Sequence, residues 1–155
     1  MDNIEQKIIE AGFILPEIPS VAGLYVPAIK VGNLVFTSGQ LPLKDGKLLE
    51  PGGIGKVNDT NIDAAVYASQ VALINALAAI KSVTGSLSKI ERVIRLTLYV
   101  ASDEGFSKQH IVANGASSLL INLFKDKGIH TRIAISVYEL PINATLELDL
   151  IVEIL

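Results

Sequence analysis

The feature that most restricts the fold is a long helical pattern in the middle of the chain, in which apolar residues recur every three or four positions. The pattern starts at Thr60-Asn61-Ile62-Asp63, a variant of the capping box, and ends at Gly85. A second helical pattern covers 104–126, after a predicted cap at Ser102. Two helices of this length bury their apolar sides well when they cover one face of a sheet.

Apolar and β-branched runs predict five strands around these helices, over 24–31, 34–37, 93–100, 131–138 and 145–154. Gly32-Asn33 is suited to a two-residue hairpin turn between the first two strands, and Pro27 favours an edge position for the first. A short amphipathic helix is predicted over 2–13, and the segment 40–57 is rich in turn residues.

This order of elements predicts an α+β sandwich in which a mostly antiparallel sheet carries two main helices on one face. A chain of 155 residues, half of them apolar, can form a single domain over residues 1–155, with 1–20 as an N-terminal extension. The other sheet face then needs a different cover, which favours association with further subunits.

Composition excludes several classes of function. The chain has no cysteine, so disulfides, thiolate zinc sites and thiol nucleophiles are not available. Its net charge of −3 offers no positive surplus for nucleic acid or anionic lipid. The acidic N-terminus lacks the pattern of a secretory signal, and no run approaches the ~18 uninterrupted apolar residues of a membrane span. These observations predict a cytoplasmic protein without membrane or nucleic-acid partners.

The last two strands combine most of the chemically interesting side chains. Alternation predicts that Arg132, Ala134 and Ser136 share one sheet face with Thr145, Glu147 and Asp149. The opposite, apolar face would hold Ile133, Ile135 and Val137 together with Leu146, Leu148, Leu150 and Val152. One interpretation of the polar face is a solvated cross-strand ion pair, worth only ~0.2–1 kcal/mol. The other is that Arg132 binds a substrate carboxylate while Glu147 handles a water or a proton.

The remaining candidates are weaker. His110 and His130 have no second ligand at metal spacing, so no metal site is predicted, and no glycine loop indicates a nucleotide cofactor. Ser38 follows a strand without the pattern of a nucleophile elbow, so it is either a ligand-binding hydroxyl or a turn residue. Gly115, inside the second helix, indicates close packing or a functional contact.

Several segments, taken together over about residues 20–155, resemble the Rid/YjgF family of reactive-intermediate deaminases. The segment 24–28 and the run 32–42, with its Ser38-Gly39-Gln40, resemble the opening hairpin of the family. His130-Thr131-Arg132, Leu140-Pro141 and the strand at 146–149 are similar to its arginine strand, turn and acidic last strand. The N-terminal extension, the 43–57 loop and the segment 112–117 resemble a longer subgroup.

The resemblance implies a chorismate-mutase-like fold, a homotrimer with a central β-barrel, and ligand clefts between neighbouring subunits. It implies that Arg132 binds the carboxylate of an enamine or imine such as 2-aminoacrylate and that Glu147 helps position the hydrolytic water. Tyr25, Ser38 and Asn114 would line the cleft. Ala134 stands where many deaminases carry a cysteine, and its backbone carbonyl could contact water or substrate. No cofactor is implied, because imine hydrolysis needs only proton transfer and an activated water.

The sequence therefore predicts a metal-independent hydrolase that deaminates reactive 2-imino and enamino acids. A second interpretation is a non-catalytic protein of the same fold that binds or senses a small carboxylate metabolite. A third, an endoribonuclease or translation inhibitor, is opposed by the acidic chain without a basic stripe.

Overall fold

The computed structural model describes residues 3–18 and 24–155 of the chain. The first position of the predicted N-terminal helix, Asp2, and the last part of the predicted extension lie outside these residues. The described part contains three α-helices, three short 3₁₀ helices, a five-stranded sheet and a separate two-stranded hairpin.

The main sheet has the strand order β1-β2-β7-β5-β6, so β1 and β6 form its two edges. Its strands are β1 Ala28–Val31, β2 Leu34–Thr37, β5 Ile90–Ala101, β6 Thr131–Val137 and β7 Leu146–Ile154. Only β6 runs parallel to its neighbour, β5, so the α+β class and the mostly antiparallel sheet are confirmed. The predicted edge position of the first strand is also confirmed. The small hairpin of β3 Leu43–Lys44 and β4 Lys47–Leu48 lies in the turn-rich segment.

The three helices are α1 Ile4–Glu10, α2 Ile62–Thr84 and α3 Gln109–Phe124. Gly85 ends α2 as predicted, in the left-handed conformation. Two predicted caps do not form. Thr60, the first residue of the predicted capping box, lies one position before the N-cap Asn61, and its hydroxyl donates to Asn58 Oδ1. Asn61 makes no side-chain cap bond either, since its Oδ1 accepts from the N–H of Asn58. The hydroxyl of Ser102 donates back to the Val100 carbonyl, and α3 begins only at Gln109 after a turn around Gly105.

The hydrophobic core lies between the helices and one face of the sheet. Its fully buried large side chains come mainly from α2, α3 and alternate positions of β5 and β7: Leu73, Leu77, Ile80, Leu96, Leu98, Leu120, Leu123, Leu146, Leu148 and Leu150. By length and composition α2 could cross a membrane, but 61% of its most apolar window is buried inside the fold. That burial is typical of the core helix of a folded domain.

The strand register corrects the predicted distribution of side chains between the two faces. Strand β5 lies between β6 and β7, and Leu96 stands opposite Arg132 on one side and Leu150 on the other. Because residues directly opposite each other share a face, Arg132, Ala134 and Ser136 lie on the helix-covered face, with Leu148 and Leu150. The predicted common face of Arg132 and Glu147 is therefore wrong. The inference failed because it treated β6 and β7 as adjacent and assigned the apolar residues of β6 to the core.

We call the sheet face away from the helices the open face. Tyr99 of β5 stands opposite both Glu147 and Ile135. Ile133, Ile135 and Val137, which were predicted to face the core, therefore lie on the open face with the carboxylates of Glu147 and Asp149. The open face also carries Ile29 and Val31 of the edge strand β1, with exposed fractions of 55% and 58%. Exposed apolar side chains therefore lie at both edges of the open face, on β6 and on β1, and exposed apolar patches are typical of interaction surfaces.

The crossing of α2 and α3 explains the glycine inside the second helix. A Cβ atom at Gly115 would lie 2.3 Å from the Val66 carbonyl oxygen and 2.5 Å from the Ser69 hydroxyl. That hydroxyl donates to the Val66 carbonyl and accepts from the N–H of Ala116, so it joins the two helices in the core. The close packing that the sequence indicated is confirmed.

We expect the substitution Gly115→Ala to lower the free energy of unfolding by about 3 kcal/mol, since the added methyl group forces two buried helices apart. Urea denaturation followed by circular dichroism would measure the loss. Ser118→Ala, on the exposed side of the same helix, is the matched control and should change stability little. An alanine variant as stable as the control would contradict the close packing.

Candidate functional site

Arg132 projects from the edge strand β6 toward α3. Its Nη1 donates to Asn114 Oδ1 at 2.8 Å and to Ser117 Oγ at 3.2 Å. Both acceptors belong to α3, one turn apart, so they face β6 from the same side of that helix. Of the predicted site residues, Arg132, Asn114 and Ala134 therefore lie together at this edge.

Two further residues extend the contacts of Arg132. Ser117 Oγ lies 2.9 Å from His130 Nε2, and His130 Nδ1 lies 2.6 Å from the Gly128 carbonyl oxygen. A carbonyl oxygen can only accept, so we assign a proton to Nδ1 and take Nε2 as the acceptor of the Ser117 hydroxyl hydrogen. The hydrogen bonds run in one direction, from Arg132 through Ser117 and His130 to Gly128.

Among residues 3–18 and 24–155, the second edge of the Arg132 guanidinium has no hydrogen-bond partner. Both N–H groups of Nη1 are used, and the structure gives no protein acceptor for Nε or Nη2. In the part of the chain that the structure describes, the ion pairs join other residues and no carboxylate neutralises Arg132. The Nε and Nη2 donors form a planar fork that matches the two oxygens of a carboxylate.

Glu147 lies on the open face, in β7, where it packs directly over the backbone of Gly39. A Cβ atom at Gly39 would come within 2.0 Å of Glu147 Oε1, so only glycine leaves room for the carboxylate there. Partial burial raises the pKa of the Glu147 carboxyl above its ordinary value of 4.5, and the negative charge of Asp149 raises it further. Desolvation also raises the pKa of Asp149 itself. A carboxylate with a raised pKa is a common form of general base.

Ser38 precedes Gly39, over which Glu147 packs, and Tyr25 precedes Val26, to which Ser38 is bonded. The Ser38 hydroxyl donates to the Val26 carbonyl at 2.6 Å, and this bond ties the end of β2 to the residue after Tyr25. Tyr25 itself is 65% exposed. The interpretation of Ser38 as a turn residue fits this bond, although the hydroxyl is only partly buried and can still accept from a ligand.

The predicted site residues therefore form two groups. Arg132, Asn114 and Ala134 lie on the helix-covered face at the β6 edge, and Glu147, Ser38 and Tyr25 are associated with the open face. Two strand spacings, about 10 Å, also separate β6 from β7. One copy of the chain does not bring the two groups together.

Sequence reasoning missed Ser117 and the role of His130. Asn114 and Ser117 are polar residues three positions apart in a helix, which is a detectable signal for a shared face. The bond from Ser117 to His130 depends on the path of the chain from α3 into β6, which no local pattern reveals. Among residues 3–18 and 24–155, no group of histidines and carboxylates could hold a metal ion.

Comparison with known proteins gives relatives along nearly the whole chain. The protein TCP17 of Trypanosoma cruzi is 31% identical over 144 residues, covering 92% of this chain and 89% of TCP17. The protein HMF1 of Saccharomyces cerevisiae is 30% identical over 135 residues, 86% of each chain. The solved structure of Atu1372 from Agrobacterium tumefaciens, whose function is unknown, is 43% identical with a TM-score of 0.88, over 99% of this chain and 93% of that one.

Residues 5–154 match the model of a family described as "YjgF/chorismate_mutase-like, putative endoribonuclease". The match includes both groups of site residues, all strands of the sheet and the two long helices. The fold inferred from the sequence resemblance is confirmed by it. The chain therefore belongs to the YjgF/chorismate mutase-like family, which is the Rid/YjgF family indicated by its sequence.

Proposed function

We propose that this protein is a cytoplasmic, metal-independent deaminase that hydrolyses small 2-imino and enamino acids, with the ligand carboxylate bound by Arg132. The observation that carries the proposal is the unpartnered Nε and Nη2 edge of Arg132, which is held in place by α3. An arginine fixed on one edge and free on the other is prepared to bind a planar anion.

The catalytic site requires two subunits. Arg132 and Glu147 lie on opposite faces of the sheet, and the strand that carries Arg132 is an edge strand. If the β6 edge of one subunit lies against the open face of the next, Arg132 of the first subunit can reach Glu147 of the second. The exposed Ile133 and Ile135 would be buried by the same contact. We propose a homotrimer with three such clefts, in which each subunit contributes one group of residues to each of two clefts.

The chemistry follows from these roles. The imine carbon is attacked by a water whose proton passes to Glu147, and the carbon–oxygen bond forms. The same proton then passes to nitrogen, which gives a carbinolamine. The hydroxyl proton of the carbinolamine passes through Glu147 to that nitrogen as the carbon–nitrogen bond breaks and the carbonyl forms, so ammonia and a 2-oxo acid are released. Arg132 fixes the carboxylate so that the imine carbon stays next to the water. For 2-iminopropanoate, the tautomer of 2-aminoacrylate, the products are pyruvate and ammonia.

The alternative is a protein that binds the same carboxylate ligand without converting it. The carboxylate of Glu147, which packs over Gly39 on the open face, favours the enzyme, since hydrolysis needs a base for the water whereas binding of an anion does not. An endoribonuclease is disfavoured by the net charge of −3, since binding of an RNA backbone depends on a surplus of basic side chains.

A deamination assay tests the proposal directly. 2-Aminoacrylate generated in the cuvette decays without enzyme, so ammonia release must be compared with a matched protein-free reaction. Acceleration by the wild-type protein supports the deaminase. A rate equal to the protein-free rate, for 2-aminoacrylate and for bulkier imino acids, together with pyruvate binding in calorimetry, would identify the binding protein instead.

The pH dependence provides a further prediction. A base must be ionised, so kcat/KM should fall as the pH is lowered through a midpoint above 4.5. Asp149 raises the pKa of Glu147, so Asp149→Asn should move this midpoint to lower pH, while the asparagine oxygen still accepts from Thr97. The exposed Asp126→Asn is the control. A midpoint that is unchanged or raised in the Asp149 variant would contradict the assignment of Glu147 as the base.

A further inference from the structure

We propose that Ser117 and His130 are positioning residues that hold Nη1 of Arg132, so that only the Nε and Nη2 edge of the guanidinium meets the ligand. The inference rests on the proposed role of Arg132 in binding a carboxylate. It adds two residues to the site and states which edge of the arginine the ligand contacts.

Nη1 of Arg132 has one protein acceptor for each of its N–H groups. This nitrogen carries two N–H groups, and the structure provides two acceptors for them, Asn114 Oδ1 and Ser117 Oγ. A carboxylate that approached from the Nη1 side would have to displace one of these acceptors. The Nε and Nη2 edge offers two parallel N–H donors, so a carboxylate can accept both hydrogen bonds there without displacing Asn114 or Ser117.

The Ser117 hydroxyl is oriented by His130. A hydroxyl can accept from Arg132 with a well-directed lone pair only if its own hydrogen is directed elsewhere. His130 Nε2 takes that hydrogen at 2.9 Å, and the histidine ring is fixed in turn by the Gly128 carbonyl at 2.6 Å. Gly128 is buried where a Cβ atom would lie 2.4 Å from the Leu120 carbonyl oxygen. The chain of hydrogen bonds thus ends on tightly packed backbone.

The consequence is that two residues without contact to the ligand determine how well Arg132 binds it. Losing the Ser117 hydroxyl leaves Nη1 with a single acceptor on the exposed Asn114 side chain, and the guanidinium gains rotational freedom. That freedom is lost again whenever a carboxylate binds. Binding should therefore weaken, and KM should rise, while kcat changes little because the chemical groups at the imine carbon are the same.

Nuclear magnetic resonance of the guanidinium group tests the positioning without any ligand. Rotation about the Nε–Cζ bond of Arg132, assigned with an Arg132→Lys variant, should be slow in the wild-type protein compared with that of the exposed Arg92. Ser117→Ala should accelerate it about tenfold, which corresponds to the loss of one charge-assisted hydrogen bond. His130→Ala should accelerate it less, and Ser118→Ala, the neighbouring serine on the exposed side, should not.

Calorimetric titration with pyruvate supplies the functional measurement on the same proteins. Ser117→Ala should weaken pyruvate binding about tenfold, and Arg132→Ala should abolish it. If the Nε–Cζ bond of Arg132 rotates as fast as that of Arg92 in the wild-type protein, the positioning role is wrong, regardless of the measured deaminase activity. Equal pyruvate binding in wild type and Ser117→Ala would also overturn it. If Arg132→Ala bound pyruvate like the wild type, the proposed function itself would fail, and the rotation rates would still decide whether Ser117 holds Arg132.

Discussion

Arg132→Ala should reduce kcat/KM for 2-aminoacrylate about 100-fold or more, because it removes two charge-assisted hydrogen bonds to the substrate carboxylate. The fold should remain, since Arg132 is only partly buried at the sheet edge and its two partners on α3 are accessible to water once it is gone. We expect a change in the free energy of unfolding of about 1 kcal/mol at most. Steady-state kinetics and thermal unfolding on the same preparation measure both effects.

The control for this substitution is Lys47→Ala, which removes one positive charge from the exposed small hairpin. It should leave kcat/KM near the wild-type value, and so separate the loss of a specific donor from the loss of net charge. Unchanged activity in Arg132→Ala would exclude Arg132 from the site. If Arg132→Ala does not fold, Arg132→Lys takes its place as the test. Lysine keeps the positive charge but not the planar pair of donors, so this variant should also lose most of the activity.

Mixing two inactive variants should restore activity. Glu147→Gln removes the proposed base, and on its own it should be as inactive as Arg132→Ala. If each cleft takes Arg132 from one subunit and Glu147 from its neighbour, a random trimer made from equal amounts of both variants keeps both native residues in about a quarter of its clefts. Mixed trimers can be prepared by refolding the two variants together and isolated through two different affinity tags.

The matching control replaces the Glu147→Gln subunit by one that carries both substitutions. Trimers of this subunit with Arg132→Ala have no cleft with a native arginine, so their activity should stay at background. Mixed trimers that carry both tags and remain inactive would show that the site does not span two subunits. The same samples give the subunit number by light scattering, which tests the trimer.

Helices and strands were predictable because each has its own period. The positions that form α2 and β7 alternate or recur regularly over long stretches, and the structure begins and ends these elements within a few residues of the prediction. The caps were less predictable. Asn61 and Ser102 bond instead to Asn58 and Val100, three and two positions away in the chain, so one local hydrogen bond replaces another.

The arrangement of the last two strands could not be read from alternation. Alternation separates the two sides of one strand, but it does not say which strand lies beside it. Here β5, formed earlier in the chain, lies between β6 and β7, and the crossover through α3 sets the register of β6. Ile133 and Ile135 looked like core residues because they are apolar, whereas they face away from the core. The prediction of Arg132 and Glu147 as site residues stays a prediction, and only their common face is wrong.

Strand β5 also carries two irregularities in its pairing with β7, one between Ile90 and Arg92 and one between Val93 and Arg95. β-Bulges bend and twist the strand that contains them. A contact in which one surface of each subunit meets a different surface of the next repeats without limit unless the rotation closes it into a ring. In the proposed assembly, we expect the bend and twist of β5 to contribute to that rotation, and so to whether the subunits close into a ring with a fixed number of clefts or extend as a fibre.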